Sequence, residues 1–269
     1  MLNRLVEKIG KVLADYLAQP LRKYEPFSVT PIEKLQATLR PGDILLVEGN
    51  QRLSVAIKYL TQSTWSHAAL YIGEALGPPR NNEEPKTLIE ADLKHGVTAV
   101  PISKYGELNT RICRPIGLSE ADCRRVIESA LANLGHAYDL KNVIDLLRYL
   151  WPTPPVPVRW RRRMLALGSG DPTRAICSTL IARAFQEVRY PILPIVCTDW
   201  VYSHRQGGYF ARDILHIRHH SLFAPRDFDL SPYFQIVKPT IEHGFDYTSL
   251  VWEDDERILA IAKERAPVK

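Results

Sequence analysis

The sequence predicts an α+β fold in which a small antiparallel sheet or barrel packs against helices. Short apolar segments separated by turn residues recur in the first half of the chain, as antiparallel strands do. Segments with helical periodicity follow them and begin at residues that cap helices well. At 269 residues, of which 45% are hydrophobic and 24% charged, the chain is long enough to bury a sizeable core.

The strands are predicted from apolar runs bounded by Gly, Pro and Asn. They cover residues 43–48, 66–72, 87–91, 97–102, 110–115 and 234–237. A short helix is predicted at 51–61, between the first two strands. Residues 74–86 are rich in Gly, Pro, Asn and Glu, which is typical of a loop.

The predicted helices are identified by their caps and apolar stripes. Ser119 is a good N-cap for a helix that runs to residue 134, and Gly135 is placed to end it. Asp139 is suited to cap a second helix at 140–150. Further helices are predicted at 2–17, 177–188 and 250–264.

Two domains or segments are expected from this pattern. Residues 1–38 form an N-terminal amphipathic helix and a linker, and residues 39–269 form the main domain. Residues 151–170, rich in Pro and Arg, read as an insert that flanks the site. The N-terminal helix either packs on the domain or contacts a membrane surface or a partner through its basic residues.

Composition restricts the compartment and the partners. A net charge of +5 and a pI of about 9.0 are too mild and too local to indicate nucleic acid binding. Four cysteines without a C-x-x-C pair read as free thiols, and charges interrupt the apolar residues of positions 1–24. No run reaches about 18 apolar residues. We therefore expect a cytoplasmic protein, with peripheral contact to the inner membrane as an alternative, and no cofactor.

Cys177 is the candidate nucleophile. It lies in the first turn of a predicted helix, where about half a positive charge favours the thiolate over the thiol. Most intracellular cysteines are small buried hydrophobes, so the assignment depends on partners. Cys113 and Cys123 are expected in the core, and Cys197 has no nearby base.

His67 and Glu90 are the candidate partners. They lie on consecutive predicted strands, and a simple hairpin would place them opposite each other, with Ala69 opposite Leu88. The long loop allows a shift of one or two residues, and Asp92 is then the fallback carboxylate. A base oriented by a carboxylate beside a thiol is what nucleophilic catalysis requires.

A histidine cluster offers a weaker hypothesis. His216, His219 and His220 lie close together in a segment, 213–223, that alternates like a strand. Because no cysteine ligand lies nearby, a solvated face is favoured and no metal site is predicted.

The set of motifs resembles the circularly permuted papain-like amidases of the NlpC superfamily, in particular the YiiX-like branch. The resemblance is carried by Gly42-Asp43, Ser66-His67, Ile89-Glu90-Ala91, Gly135 to Asp139, Cys177-Ser178 and the segment 229–238. It implies a papain-like α+β fold with Cys177 as nucleophile, His67 as base and Glu90 as third member. It also implies that Tyr138 lies near the site and touches substrate.

The sequence therefore predicts a cysteine amidase or peptidase that cleaves an amide or isopeptide bond through a thioacyl-enzyme. The resemblance suggests a cell-wall-derived peptide or an amino-acid amide as substrate. One alternative is a lipid-directed acyltransferase or phospholipase of the lecithin:retinol acyltransferase type. Another is a non-catalytic binding module on the same scaffold. A small peptide, amide or lipid is the expected partner in the first two cases.

Overall fold

The computed structural model describes residues 19–20, 26, 29–79, 83–92, 95–136, 176–203 and 208–249. Within these ranges the chain forms both strands and α-helices. They are α1 (Ile32–Thr38), β1 (Ile44–Val47), α2 (Arg52–Thr61), β2 (His67–Tyr71), β3 (Lys86–Asp92), β4 (Gly96–Pro101), β5 (Thr110–Pro115), α3 (Glu120–Ala132), α4 (Ile176–Glu187), β6 (Ile195–Ser203), β7 (Gly208–His216), α5 (Pro225–Asp229), β8 (Phe234–Val237) and α6 (Pro239–Glu242).

Short 3-10 segments complete the described chain. They lie at Ile102–Tyr105, His220–Leu222 and Tyr247–Ser249. The first of them follows β4 without a break and carries two residues of the candidate site.

A six-stranded antiparallel sheet forms the centre of the fold. Its strands are ordered β4-β3-β2-β1-β5-β8, so the described sheet is open, with β4 and β8 at its edges. The α+β prediction is confirmed. The prediction allowed either an antiparallel sheet or a barrel, and the described strands form an open sheet. A separate ribbon pairs β6 with β7.

The sheet separates two apolar clusters, because alternate residues of each strand face opposite sides. Ala68 and Leu70 of β2 join the larger cluster, which contains α4 residues and Val126 of α3. Ala69 packs in the smaller cluster with Leu88, and that cluster is closed by residues of α1 and of the first 3-10 segment.

The predicted strands and caps are largely confirmed. Each of the six predicted strands is present, and none of its ends differs by more than one residue from the structure. Ser119 caps α3, since its Oγ accepts a hydrogen bond from the backbone N–H of Asp122 at 3.1 Å. The helix ends at Ala132, and Gly135 takes a φ of +80° in the turn that follows.

The predicted strand character of 213–223 is wrong in its second half. β7 ends at His216, and His220–Leu222 is a 3-10 turn. The side chain of His219 causes this local departure by accepting a hydrogen bond from the backbone N–H of Ser221. The ribbon partner β6 was not predicted.

Several expectations fall on residues outside the described ranges. They are the helices at 2–17, 140–150 and 250–264, the insert at 151–170, and Tyr138. Among the described helices, none has the length and apolar character needed to span a bilayer.

Candidate active site

Cys177, His67 and Glu90 are placed at one site by three different elements. Cys177 is the second residue of α4, His67 is the first residue of β2, and Glu90 lies within β3. The Cys177 thiol interacts electrostatically with the His67 imidazole, and its Sγ lies 4.0 Å from Oγ of Ser178. Only 4% of Cys177 is exposed, so the thiol is nearly removed from water.

Glu90 fixes the orientation of the His67 ring. Its Oε2 lies 2.7 Å from Nε2 of His67, which is the length of a charge-assisted hydrogen bond. Because the Glu90 carboxylate is hydrogen-bonded to Nε2, the ring nitrogen available to the thiol is Nδ1. The arrangement is the base, orienting carboxylate and thiol that nucleophilic catalysis needs.

Two further residues, Lys104 and Tyr105, contact the same carboxylate. Lys104 Nζ donates to Oε1 of Glu90, and the Tyr105 hydroxyl donates to Oε2. The Tyr105 oxygen also lies 3.2 Å from Nε2 of His67. Sequence reasoning missed both residues. The available signal was a Lys-Tyr pair that begins three residues after the end of β4, the strand that pairs with the Glu90 strand.

These partners keep Glu90 ionised although only 1% of its side chain is exposed. Burial raises the pKa of the carboxyl, but the hydrogen bonds and charges of His67 and Lys104 outweigh burial and lower it to about 2. Burial and the adjacent carboxylate raise the pKa of Tyr105 well above its ordinary value, so its hydroxyl stays a donor.

The thiol and the imidazole stabilise each other as an ion pair. Burial raises the pKa of the Cys177 thiol, but the charge and hydrogen bond of His67 outweigh it, and the net pKa is lowered. Burial lowers the pKa of His67, yet Cys177 and Glu90 together raise it to about 10. Each partner therefore shifts the other toward its charged form, thiolate for Cys177 and imidazolium for His67.

The site crosses the sheet from one apolar cluster to the other. Cys177 belongs to the larger cluster on the α4 side, whereas Tyr105 belongs to the smaller cluster on the opposite side. His67 is the first residue of β2, so no earlier residue of that strand encloses its side chain. The imidazole can therefore contact both Cys177 and Tyr105. The His67 side chain is 20% exposed.

One family of known proteins matches part of this chain. Residues 38–149 match the model of a family described as permuted papain-like amidase enzyme, YaeF/YiiX, C92 family. Over these residues the chain is similar to that family. The match includes His67 and Glu90 and ends before Cys177, so the part of the site on α4 is identified by its position beside His67.

Solved structures also resemble this chain. One is described as the crystal structure of the metalloprotein yiiX from Escherichia coli O157:H7, and it is 16% identical with a TM-score of 0.42. The similarity covers 74% of this chain and 96% of that one. A search of curated proteins found no match.

The Gly-Asp motif of the sequence has a structural contact away from the thiol. Both oxygens of Asp43 accept hydrogen bonds from the Arg114 guanidinium, and Arg114 also donates to the carbonyl of Thr38 at 2.7 Å. Asp43 precedes β1 at the end where Tyr71 lies, whereas His67 pairs with Val47 at the other end. Asp43 thus joins β1 to β5 and α1.

Asp229, which begins the segment 229–238 of the resemblance, is likewise held by side chains. Its two oxygens lie 2.8 and 2.9 Å from Nη1 of Arg111, and Oδ2 accepts a hydrogen bond from the indole of Trp65. The Arg111 guanidinium stacks over the Trp65 ring at 4.8 Å from its centre. This contact ties α5 to β5 and to the loop before His67.

The remaining candidates take other positions. Asp92, the fallback carboxylate, accepts hydrogen bonds from the backbone and ring of His95. Cys113 is buried, Cys123 is half-buried and Cys197 is exposed. The described residues contain no group of three His, Cys, Asp or Glu side chains arranged to hold a metal, and this includes the segment of His216, His219 and His220.

Proposed function

We propose that this protein is a cysteine hydrolase that cleaves an amide or isopeptide bond, with Cys177 as nucleophile, His67 as acid and base, and Glu90 as orienting carboxylate. The observation that carries the proposal is the buried series in which Glu90 holds one ring nitrogen of His67 and the thiol meets the imidazole. The family match supports amide chemistry.

The reaction follows from the protonation states at the site. The Cys177 thiolate attacks the carbonyl carbon, and its electron pair forms the C–S bond as the carbonyl oxygen takes up the negative charge. When the tetrahedral intermediate collapses, the C–N bond breaks and the His67 imidazolium protonates the leaving amine. Neutral His67 then takes a proton from water, which attacks the thioester, and the acid leaves as Cys177 regains its charge.

The proposed substrate is a cell-wall-derived peptide or an amino-acid amide, the class that the family resemblance suggests. A lipid acyl group is the alternative substrate, because a thioester forms equally from an ester. A panel of peptide amides, acyl amino acids and phospholipids separates these classes.

The test is to trap the thioester. The protein is incubated with each member of the panel, quenched in acid, and the Cys177 peptide is analysed by mass spectrometry. We expect the mass of an acyl group, lost on treatment with hydroxylamine, from an amide substrate. The same adduct from phospholipid alone supports the lipid alternative. An adduct of the same mass elsewhere in a Cys177→Ala variant contradicts a thioester at this residue.

A further inference from the structure

The carboxylate of Glu90 receives three donors that come from two sides. His67 of β2 approaches Oε2, while Lys104 and Tyr105 approach from the 3-10 segment Ile102–Tyr105. A carboxylate that is almost fully buried is costly to keep charged unless it is paired and hydrogen-bonded. Of the two donors in the 3-10 segment, Lys104 supplies charge and Tyr105 supplies a neutral hydrogen bond.

We propose that Lys104 and Tyr105 are positioning residues that act through Glu90 to maintain the reactive state of Cys177. The inference rests on the proposed cysteine hydrolase function. In this account neither residue touches the reacting atoms; each keeps the carboxylate charged and turned toward Nε2 of His67.

The 3-10 segment is built to hold these donors in place. Ile102 and Tyr105 are buried in the smaller apolar cluster, so the segment is anchored at both ends. Between them, the backbone N–H of Ser103 donates to the carboxylate of Glu84 at 3.3 Å, and the Ser103 hydroxyl donates to the same group. Donors fixed before substrate binds need little reorganisation during the reaction.

The charges around Glu90 alternate in sign. Among the described residues, the groups that face it are the imidazole of His67, the ammonium of Lys104, the hydroxyl of Tyr105 and, across the strand pair, the uncharged Thr98. Cys177 acts through His67, and Asp92 lies on the same face of β3. With thiolate, imidazolium, carboxylate and ammonium present, the four charges sum to zero.

Loss of Lys104 removes both a donor and the compensating charge from Glu90. The carboxylate then supports the imidazolium less firmly, and the thiol needs a higher pH to ionise. Because the Lys104 side chain is 42% exposed, solvent screens part of its charge and the effect is moderate. A shift of about half a pH unit in the ionisation of Cys177 is expected.

The experiment measures the rate of Cys177 alkylation by iodoacetamide against pH, read by mass spectrometry of its peptide because Cys197 is exposed and also reacts. The pH at which the alkylation rate is half-maximal is the midpoint. Lys104→Met is expected to raise this midpoint, and Lys104→Arg is expected to return it to the parent value. Lys86→Met, a charge change on an exposed residue of the same strand as Glu90, is the control and should leave the midpoint unchanged.

A second background tests whether Lys104 acts through Glu90. In a Glu90→Gln protein, Lys104→Met should add little further shift, because the carboxylate that Lys104 positions is already gone. An equal shift in both backgrounds, or an unchanged midpoint in Lys104→Met, overturns the inference. A parent thiol with an ordinary midpoint contradicts the proposed function itself, so the two failures are distinguishable.

Discussion

Nε2 of His67 lies 2.7 Å from Oε2 of Glu90 although the two residues are diagonal neighbours in the sheet. Tyr71 pairs with Leu88 and Leu70 with Ile89, a register that places Glu90 two residues away from the position opposite His67. A diagonal pair on one face is within reach of a long side chain. The Glu90 side chain spans that separation, and Lys104 and Tyr105 hold it there by hydrogen bonds to its carboxylate.

Removing the charge of Glu90 tests its orienting role. Glu90→Gln keeps the shape of the side chain but leaves the imidazolium without its counter-charge, so the pKa of Cys177 should rise and turnover should fall about 100-fold or more. Steady-state kinetics on the substrate identified by thioester trapping measures the fall. Glu107→Gln, at an exposed site, is the control, and equal turnover in parent and Glu90→Gln would refute the role.

The hydrogen bond from Tyr105 should matter without any change in charge. Tyr105→Phe keeps the ring in the apolar cluster and removes one donor to a charged acceptor, a contact that contributes about 1.5–3 kcal/mol. We expect kcat to fall by about tenfold or more with little change in KM. An increase in KM at unchanged kcat would instead place the hydroxyl against substrate.

The elevated pKa of His67 predicts how stability varies with pH. The folded value of about 10 exceeds the ordinary 6.5, so protonation of His67 stabilises the fold fully below pH 6.5. This stabilisation is lost as the pH rises through 10. The lowered pKa of Cys177 acts in the opposite direction, so the two shifts offset each other between the ordinary histidine value of 6.5 and the ordinary thiol value of 9.0. Urea unfolding of the parent and of a His67→Asn/Cys177→Ala double variant should therefore show a difference in free energy that is level from pH 6.5 to 9 and shrinks from pH 9 to 10. A constant difference from pH 9 to 10 would show that the pKa of His67 is not raised.

Arg114 should support the fold and not the chemistry. Only 1% of the Asp43 side chain is exposed, so Arg114→Met leaves a buried carboxylate without its charged partner, at a cost of about 3–5 kcal/mol. Urea unfolding measures that cost. The alkylation midpoint of Cys177 should stay at the parent value, because Asp43 lies at the opposite end of the paired strands; a shifted midpoint would contradict this separation.

The strands, and the face of the sheet on which each side chain lies, could be predicted because both depend on the local alternation of apolar and polar residues. His67 and Glu90 were assigned to the same face correctly, but the predicted pairing of Ala69 with Leu88 is wrong by two residues, since Leu88 lies opposite Tyr71. A shift of two preserves which face each side chain takes. The loop between β2 and β3 is too long for its sequence to fix the register.

Lys104 and Tyr105 could not be assigned from the sequence for a different reason. They follow β4 in a 3-10 segment, and their approach to Glu90 depends on how that segment turns back under β3. No periodic pattern encodes such a turn. The same applies to the meeting of Cys177 with His67, because the packing of α4 on β2 is a long-range contact between residues more than a hundred positions apart.

The most direct test of the account is the pH dependence of Cys177 alkylation in the parent and in His67→Ala. We predict that the parent thiol ionises below its ordinary pKa and that His67→Ala returns it to, or above, the ordinary value. A parent thiol that reacts only as the pH approaches the ordinary thiol pKa, with the same profile in His67→Ala, would contradict the ion pair and with it the proposed hydrolase.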